Sequence, residues 1–153
     1  MDLKKVAGNS LELILYKLSS NPIKGILFGA GITVAISDMI TLTVDAFINH
    51  NLNYAYAIEP FEQLIDDICD KMKSNHIERL KNDQCTIEHG IAFNDLLTDI
   101  ERVGDHCSNI ALTIIGLEND SLDMHHFEDN LTAEEKENYN YLLENYRVKY
   151  NMK

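Results

Sequence analysis

Between Tyr54 and Leu80 the apolar side chains return every three or four residues, at Ile58, Phe61, Ile65, Ile68, Cys69 and Met72. That period lays one stripe along a helix, and the stripe must be covered by another element. A matching pattern follows from Ile87 to about Gly116, where Phe93, Leu96, Leu97, Ile100, Val103, Cys107, Ile110, Ala111 and Ile114 share a face. Between the two lies Asn82-Asp83-Gln84-Cys85-Thr86, a polar run that reads as a turn, with Thr86 as the N-cap of the second helix. Two long helices joined by so short a link must run antiparallel. Residue i of the first then faces roughly residue 169 minus i of the second. No segment alternates apolar and polar residues over the length of a strand, so the chain is expected to be all-α.

The remaining segments also read as helices. Leu3 to Ser19 has an amphipathic pattern (Leu11, Ile14, Leu15, Leu18) that Asn21-Pro22 ends. Ile26 to Ile36 is apolar throughout and is followed by Ser37-Asp38; residues 38 to 49 read as a separate helix, closed by an Asn/His-rich loop from His50 to Asn53. Pro60 belongs in the first turn of its helix, which places the start near Ile58 or Glu59. Gly116 marks the end of the next helix. Asn119 to Asn130 is polar and expected to be loop. Thr132-Ala133-Glu134-Glu135 opens a last helix edged by Tyr139, Leu142, Leu143, Tyr146 and Tyr150.

Eleven apolar residues do not cross a bilayer, which takes about 20. Extension through Ile48 would place Asp38 and Asp45 inside the span, each at a cost of about 2.5 kcal/mol or more, so no autonomous transmembrane helix is expected.

Charge divides the chain. Residues 1–36 carry Lys4, Lys5, Lys17 and Lys24 against Asp2 and Glu12, whereas the whole chain has 13 basic and 25 acidic residues and a formal net charge of -12. The expected organisation is an N-terminal segment over 1–36, a bundle over 37–117, and a loop with a C-terminal helix over 118–153. The acidic excess, with no Lys/Arg stripe, argues against a nucleic-acid partner. Three cysteines, Cys69, Cys85 and Cys107, make no disulfide framework, and no signal peptide is evident; both fit a cytoplasmic setting.

Glu62 with Asp66, and Glu101 with Asp105, repeat a Glu-x-x-x-Asp spacing on either side of the turn. Residues four apart share a helix face, so each pair brings like charges together at a cost of a few tenths of a kcal/mol. The hairpin register brings the midpoint of the first pair, 64, close to that of the second, 103, and four carboxylates converge on one level. Oxygen-rich sets of this kind suit a divalent metal ion held between facing helices. The other reading is four solvated surface acids, which any acidic helical protein can carry. Cys85 and His89, joined by His106 or Cys107, form a weaker zinc alternative with no Cys-x-x-Cys to support it. His76 lies on an apolar face and reads as a core histidine, and His125-His126 as a solvated pair. No nucleophile with an ordered base and no phosphate-cradling Gly-rich loop is present, so an enzyme is not expected.

Three stretches carry a family resemblance: His76-Ile77-Glu78-Arg79-Leu80, Cys85-Thr86-Ile87-Glu88, and Asp95-Leu96-Leu97 with Glu101-Arg102-Val103-Gly104-Asp105-His106-Cys107-Ser108-Asn109-Ile110-Ala111. They resemble the PhoU-like domain at the C-terminus of bacterial sodium/phosphate cotransporters (Na/Pi cotransporter II-related). The resemblance covers roughly residues 38–117. It implies an antiparallel three-helix PhoU-like bundle, preceded by a short amphipathic and hydrophobic helical segment and followed by a C-terminal helix. It also implies that Glu101 and Asp105, and by extension Glu62 and Asp66, bind divalent or iron-type metal ions, in a regulatory protein of phosphate homeostasis. The implied partner is a phosphate transporter or phosphate-signalling protein at the inner face of the cell membrane, and two copies forming a homodimer would supply the second repeat usual in PhoU proteins. Residues 4–36 (Lys4-Lys5-Val6-Ala7-Gly8-Asn9, Ser20-Asn21-Pro22-Ile23-Lys24-Gly25) resemble the start of the transporter portion, but the Gln-Ser-Ser-Ser motif that follows there is replaced by Ser37-Asp38-Met39. Transport itself is therefore not expected. A membrane-associated symporter fragment and an inactive, internally deleted relic are the alternatives.

Overall fold

The computed structural model describes the backbone of residues 22–118 and 131–150, with side chains from residue 31 onward. Four helices account for nearly all of it: α1 (Pro22–Asn49), α2 (Leu52–Lys81), α3 (Ile87–Glu118) and α4 (Ala133–Lys149). No strand occurs among the described residues, and the chain is all-α as its periodicity requires. The first three helices pack mutually as an antiparallel bundle, and α4 lies on α2. Residues 1–21, and with them the amphipathic segment read at Leu3–Ser19, lie outside the described residues, as do His125 and His126.

The break expected at Ser37-Asp38 does not exist. α1 runs through it without interruption, because Ile32, Ala35, Met39, Thr43 and Ala46 are all buried and keep one helical stripe across the polar pair. Ser37 faces outward, and its carbonyl accepts a hydrogen bond from Thr41 Oγ1 at 2.9 Å. A boundary between 36 and 37 therefore falls inside a continuous helix. One helix among the described residues is long and apolar enough, over Gly31–Asn49, to cross a membrane. The argument against such a span by length thus loses its premise, although the inner face of this helix is bundle core. Asp38 is taken up by α4: Lys149 Nζ and Tyr150 Oη both donate to its Oδ2, at 2.8 and 2.6 Å. These two donors hold the Asp38 carboxyl below the usual range.

The α1–α2 connection is only His50-Asn51. His50 adopts the left-handed region (φ 48), and the Asn51 side chain caps α2 by accepting from Tyr54 N. With the cap at Asn51, α2 starts six residues before the position expected from Pro60. Proline inside a helix removes one backbone bond and costs about 3 kcal/mol. Here the ring is buried in the bundle core, which offsets part of that cost.

At the other end of α2, Asp83 takes φ 53 and Thr86 Oγ1 accepts from His89 N, so the turn and its N-cap stand where the sequence puts them. The α2–α3 register follows from three contacts. Ser108 Oγ donates to Glu59 Oε1, Cys69 Sγ to the Leu97 carbonyl, and His76 packs on Gly90. Residue i thus faces about residue 166 minus i, within one helical turn of the expected register. α3 continues two residues past Gly116, which is buried rather than terminal. Cys69 and Cys107 are small core residues, and burial pushes the Cys69 thiol up to about 12.

α4 opens with a full capping box between Thr132 and Glu135. It docks through Leu143, through Tyr146, whose ring stacks on Phe61 at 4.4 Å and whose hydroxyl donates to the Ala57 carbonyl, and through Arg147, which pairs with Asp67 at 2.8 Å.

Two glycines of α3 behave oppositely. A Cβ at Gly90 would lie 2.5 Å from His76 Nε2, in a buried ring held against Phe93, while one at Gly104 would meet Ile65 and Glu62 at ordinary contact distances of 3.8 and 3.9 Å. Helix propensity favours alanine at both sites by up to about 1 kcal/mol. Gly104→Ala is therefore expected to be neutral or to stabilise by as much as that. Gly90→Ala must displace the His76 ring, and should destabilise by about 1–3 kcal/mol. Urea denaturation midpoints of the two variants test this, and equal midpoints would refute the packing described for His76.

Candidate functional site

One edge of α2 carries Glu59, Glu62, Asp66, Asp70 and Lys73, spaced three or four apart along the helix. The α3 edge opposite carries Glu101, Asp105 and Ser108. The hairpin register brings the two edges together, so all four acids singled out in the sequence lie along a single α2–α3 seam. Glu62 sits where Gly104 lacks a side chain, its Cγ 3.9 Å from the place a Cβ would occupy. Asp66 is half-buried beside Glu101 and Asp105. Burial pushes its carboxyl above the ordinary range, and the charges of Glu101, Asp105 and Asp70 push it further the same way. Glu101 is half-buried, and Asp105 is exposed.

The cation at this edge is a lysine. Lys73 Nζ lies 2.6 Å from Glu101 Oε1, and this bond, with Glu101's charge, raises the ammonium's affinity for its proton. Both side chains are partly shielded, at 30% and 22% exposure, which places the pair above the weakest class of surface ion pair. Sequence reasoning missed Lys73, although it falls seven residues after Asp66 and hence on the same face. Glu59 was missed too; it receives the Ser108 hydroxyl at 2.6 Å.

Among the described residues no three His, Cys, Asp or Glu side chains stand close enough together to hold a metal ion. The four acids are neighbours along a seam, and in this arrangement they do not form a ligand cage. Their oxygens are the donors a hard or borderline divalent cation takes, so the chemistry of the set fits such an ion while the spacing requires side chains to close. The zinc alternative fares worse. Cys107 is buried in the core, and Cys85 and His89 sit at the turn, about five helical turns from His106.

A second feature lies on the opposite edge of α3. There a cavity of about 490 Å³ opens between the C-terminal ends of α1 and α3, lined by Phe47, His50, Leu52, His106, Ile110 and Leu117 among others. It is largely apolar and carries no constellation of catalytic groups.

The raised carboxyl of Asp66 has a consequence for stability. A carboxyl whose folded-state value lies above its unfolded one loses stability as pH rises from the ordinary carboxylate range through the folded value, and the deficit persists at neutral pH. Asp66→Asn, without divalent ions, is therefore expected to raise stability at pH 7 by up to about 1 kcal/mol and to flatten this part of the profile. Urea midpoints from pH 3.5 to 7.5 for both proteins would show it. A destabilised variant at pH 7 would rule the arrangement out.

Comparison with known proteins places this seam inside a recognised domain. The PhoU domain family matches residues 33–114, more than half of the chain. A curated relative, the phosphate-specific transport system accessory protein PhoU homolog 1 of Thermotoga maritima, is 27% identical over 73 residues, covering 48% of this chain and 32% of the relative. The chain thus spans about a third of that protein's length. No solved structure matches it.

Proposed function

The chain belongs to the PhoU domain family, and from that premise we propose that it is a regulatory, non-catalytic domain associated with phosphate transport, which binds divalent metal along its α2–α3 seam. The relative's role in a phosphate-specific transport system supports the first half of this reading. The second half rests on one observation: Asp66 lies against the like charges of Glu101 and Asp105, with the Lys73 ammonium as a cationic neighbour. Excess negative charge in a partly shielded seam favours uptake of a further cation.

Glu62, Asp66, Glu101 and Asp105 would hold the ion, which would supply positive charge and cross-link α2 to α3. Lys73 would have to release Glu101 for that carboxylate to serve. Binding would then stiffen the hairpin that the rest of the bundle packs on, so that a regulatory domain presents a fixed surface. The partner in this reading is a phosphate transporter or phosphate-signalling protein, met at the cytoplasmic face of the membrane. Sodium-dependent uptake is the form of transport to which the resemblance of residues 4–36 points; those residues lie largely outside the family match.

The test is thermal. A ligand that binds only the folded state adds about 2.7 kcal/mol at one hundred times its Kd, which for a chain of this size is roughly 5–10 °C in Tm. Manganese, iron, zinc or magnesium is expected to raise Tm in the wild type, with the rise lost in Glu101→Ala and Asp66→Ala. Lys73→Met should bind more tightly, since no ammonium competes for Glu101. A wild-type Tm indifferent to all four metals would end the metal half of the proposal and leave the family assignment intact.

A further inference from the structure

The turn end of the α2–α3 hairpin is closed by a histidine whose surroundings disfavour a second proton. His76 is 6% exposed, its ring lies 5.2 Å from that of Phe93, and its Nε2 is aimed at Gly90, where a Cβ would stand only 2.5 Å away. Arg79 Nη2 lies 3.4 Å from Nδ1. A guanidinium can only donate, so Nδ1 accepts and the ring hydrogen is on Nε2. That hydrogen meets no acceptor among the described residues, and Arg79 Nε is buried without a partner as well. Unpaired buried groups of this kind are rare in folded proteins, because each forfeits its bond to water.

We propose that His76 is a proton-operated latch: neutral, it locks the turn end of the hairpin, and protonated, it leaves its place on Gly90 and opens residues 76–93 while the rest of the bundle holds. A proton arriving at the neutral ring binds Nδ1, the atom that accepts from Arg79. It turns that acceptor into a donor facing a donor, and sets an imidazolium beside a guanidinium. No described carboxylate compensates. On α2, Lys73 is committed to Glu101, and Glu78, Lys81 and Asp83 are exposed. On α3, Glu88, His89 and Asp95 are exposed to either side of Gly90 and Phe93. α1 begins at this end of the bundle, and its first turn carries Lys24 and no acid. α4 packs farther along α2, at Ala57, Phe61 and Asp67. Burial first, and the Arg79 charge second, hold the His76 imidazole below the usual histidine range. The closed hairpin is therefore unpenalised above the ordinary value near ~6.5 and loses ground as pH falls below it, because the opened ring takes up a proton that the packed ring refuses. A single proton gives up to about tenfold more opening for each pH unit below that value. Asp66 and Glu101 lie about 15 Å along their helices from His76 and Gly90, so the latch does not depend on metal binding.

Proton NMR of the histidine ring signals of the full chain, from pH 4 to 8 without divalent ions, tests the first step, with the His76 signal assigned by its loss in His76→Gln. Its midpoint is expected below those of the exposed His50, His89 and His106, and a midpoint at or above theirs overturns the proposal. Hydrogen exchange read by mass spectrometry, corrected for intrinsic rates, tests the second. Between pH 7 and 5.5 the amides of residues 77–92 are expected to lose protection by up to about tenfold, while those of residues 55–68 keep theirs. His76→Phe and His76→Gln cannot titrate, and in each the protection of residues 77–92 should no longer respond to pH, whatever its absolute level. A wild type whose protection there is independent of pH refutes the latch, as does a loss of equal size in both variants or one spread evenly over the bundle.

Discussion

The contact between α2 and α3 governs this protein. A five-residue turn with Thr86 as N-cap and Asp83 in the left-handed region fixes where α3 begins, and from there the register is set by small residues. Gly90 accommodates the His76 ring, and Cys69 and Cys107 fill the core without forcing the helices apart. Close packing at these points leaves little freedom to slide, because a shift of one turn would drive another side chain of α3 into the space at Gly90 that the His76 ring fills.

That register has an electrostatic consequence. The same alignment that buries Leu64, Ile65, Leu97 and Ile100 places the flanking acids of both helices in one line. Like charges in a partly desolvated seam are unfavourable, and the protein relieves this in part with Lys73 on Glu101 and with a hydroxyl on Glu59. The relief is incomplete at Asp66, whose carboxyl resists ionisation.

α3 also has two unlike edges. The one toward α2 is acidic and hydrogen-bonded; the one toward α1 is apolar and opens into a groove. Since α1 and α3 share that groove and α4 lies elsewhere, on α2, the fourth helix leaves it uncovered. The two edges of α3 thus differ in chemistry: carboxylates with a hydroxyl and an ammonium along one side, apolar side chains along the other.

Much of this was legible in the residues themselves. Periodicity located α2, α3 and α4, turn chemistry located residues 82–86, and the paired Glu-x-x-x-Asp spacing put four acids on facing edges, because helix geometry and a short link leave few alternatives. Local signals misled where burial outweighed them. Ser37-Asp38 looked like a stop, yet the buried stripe runs through it; Pro60 looked like a start, yet the Asn51 cap and a buried ring carry the helix past it. Tertiary structure alone decided that Lys73 is the counter-cation of Glu101, that the acids line a seam without closing into a cage, and that the outer face of α1 is left bare. Each depends on which side chains from distant segments meet, at distances of a few ångströms, and a linear spacing rule fixes a helix face without fixing what lies across from it.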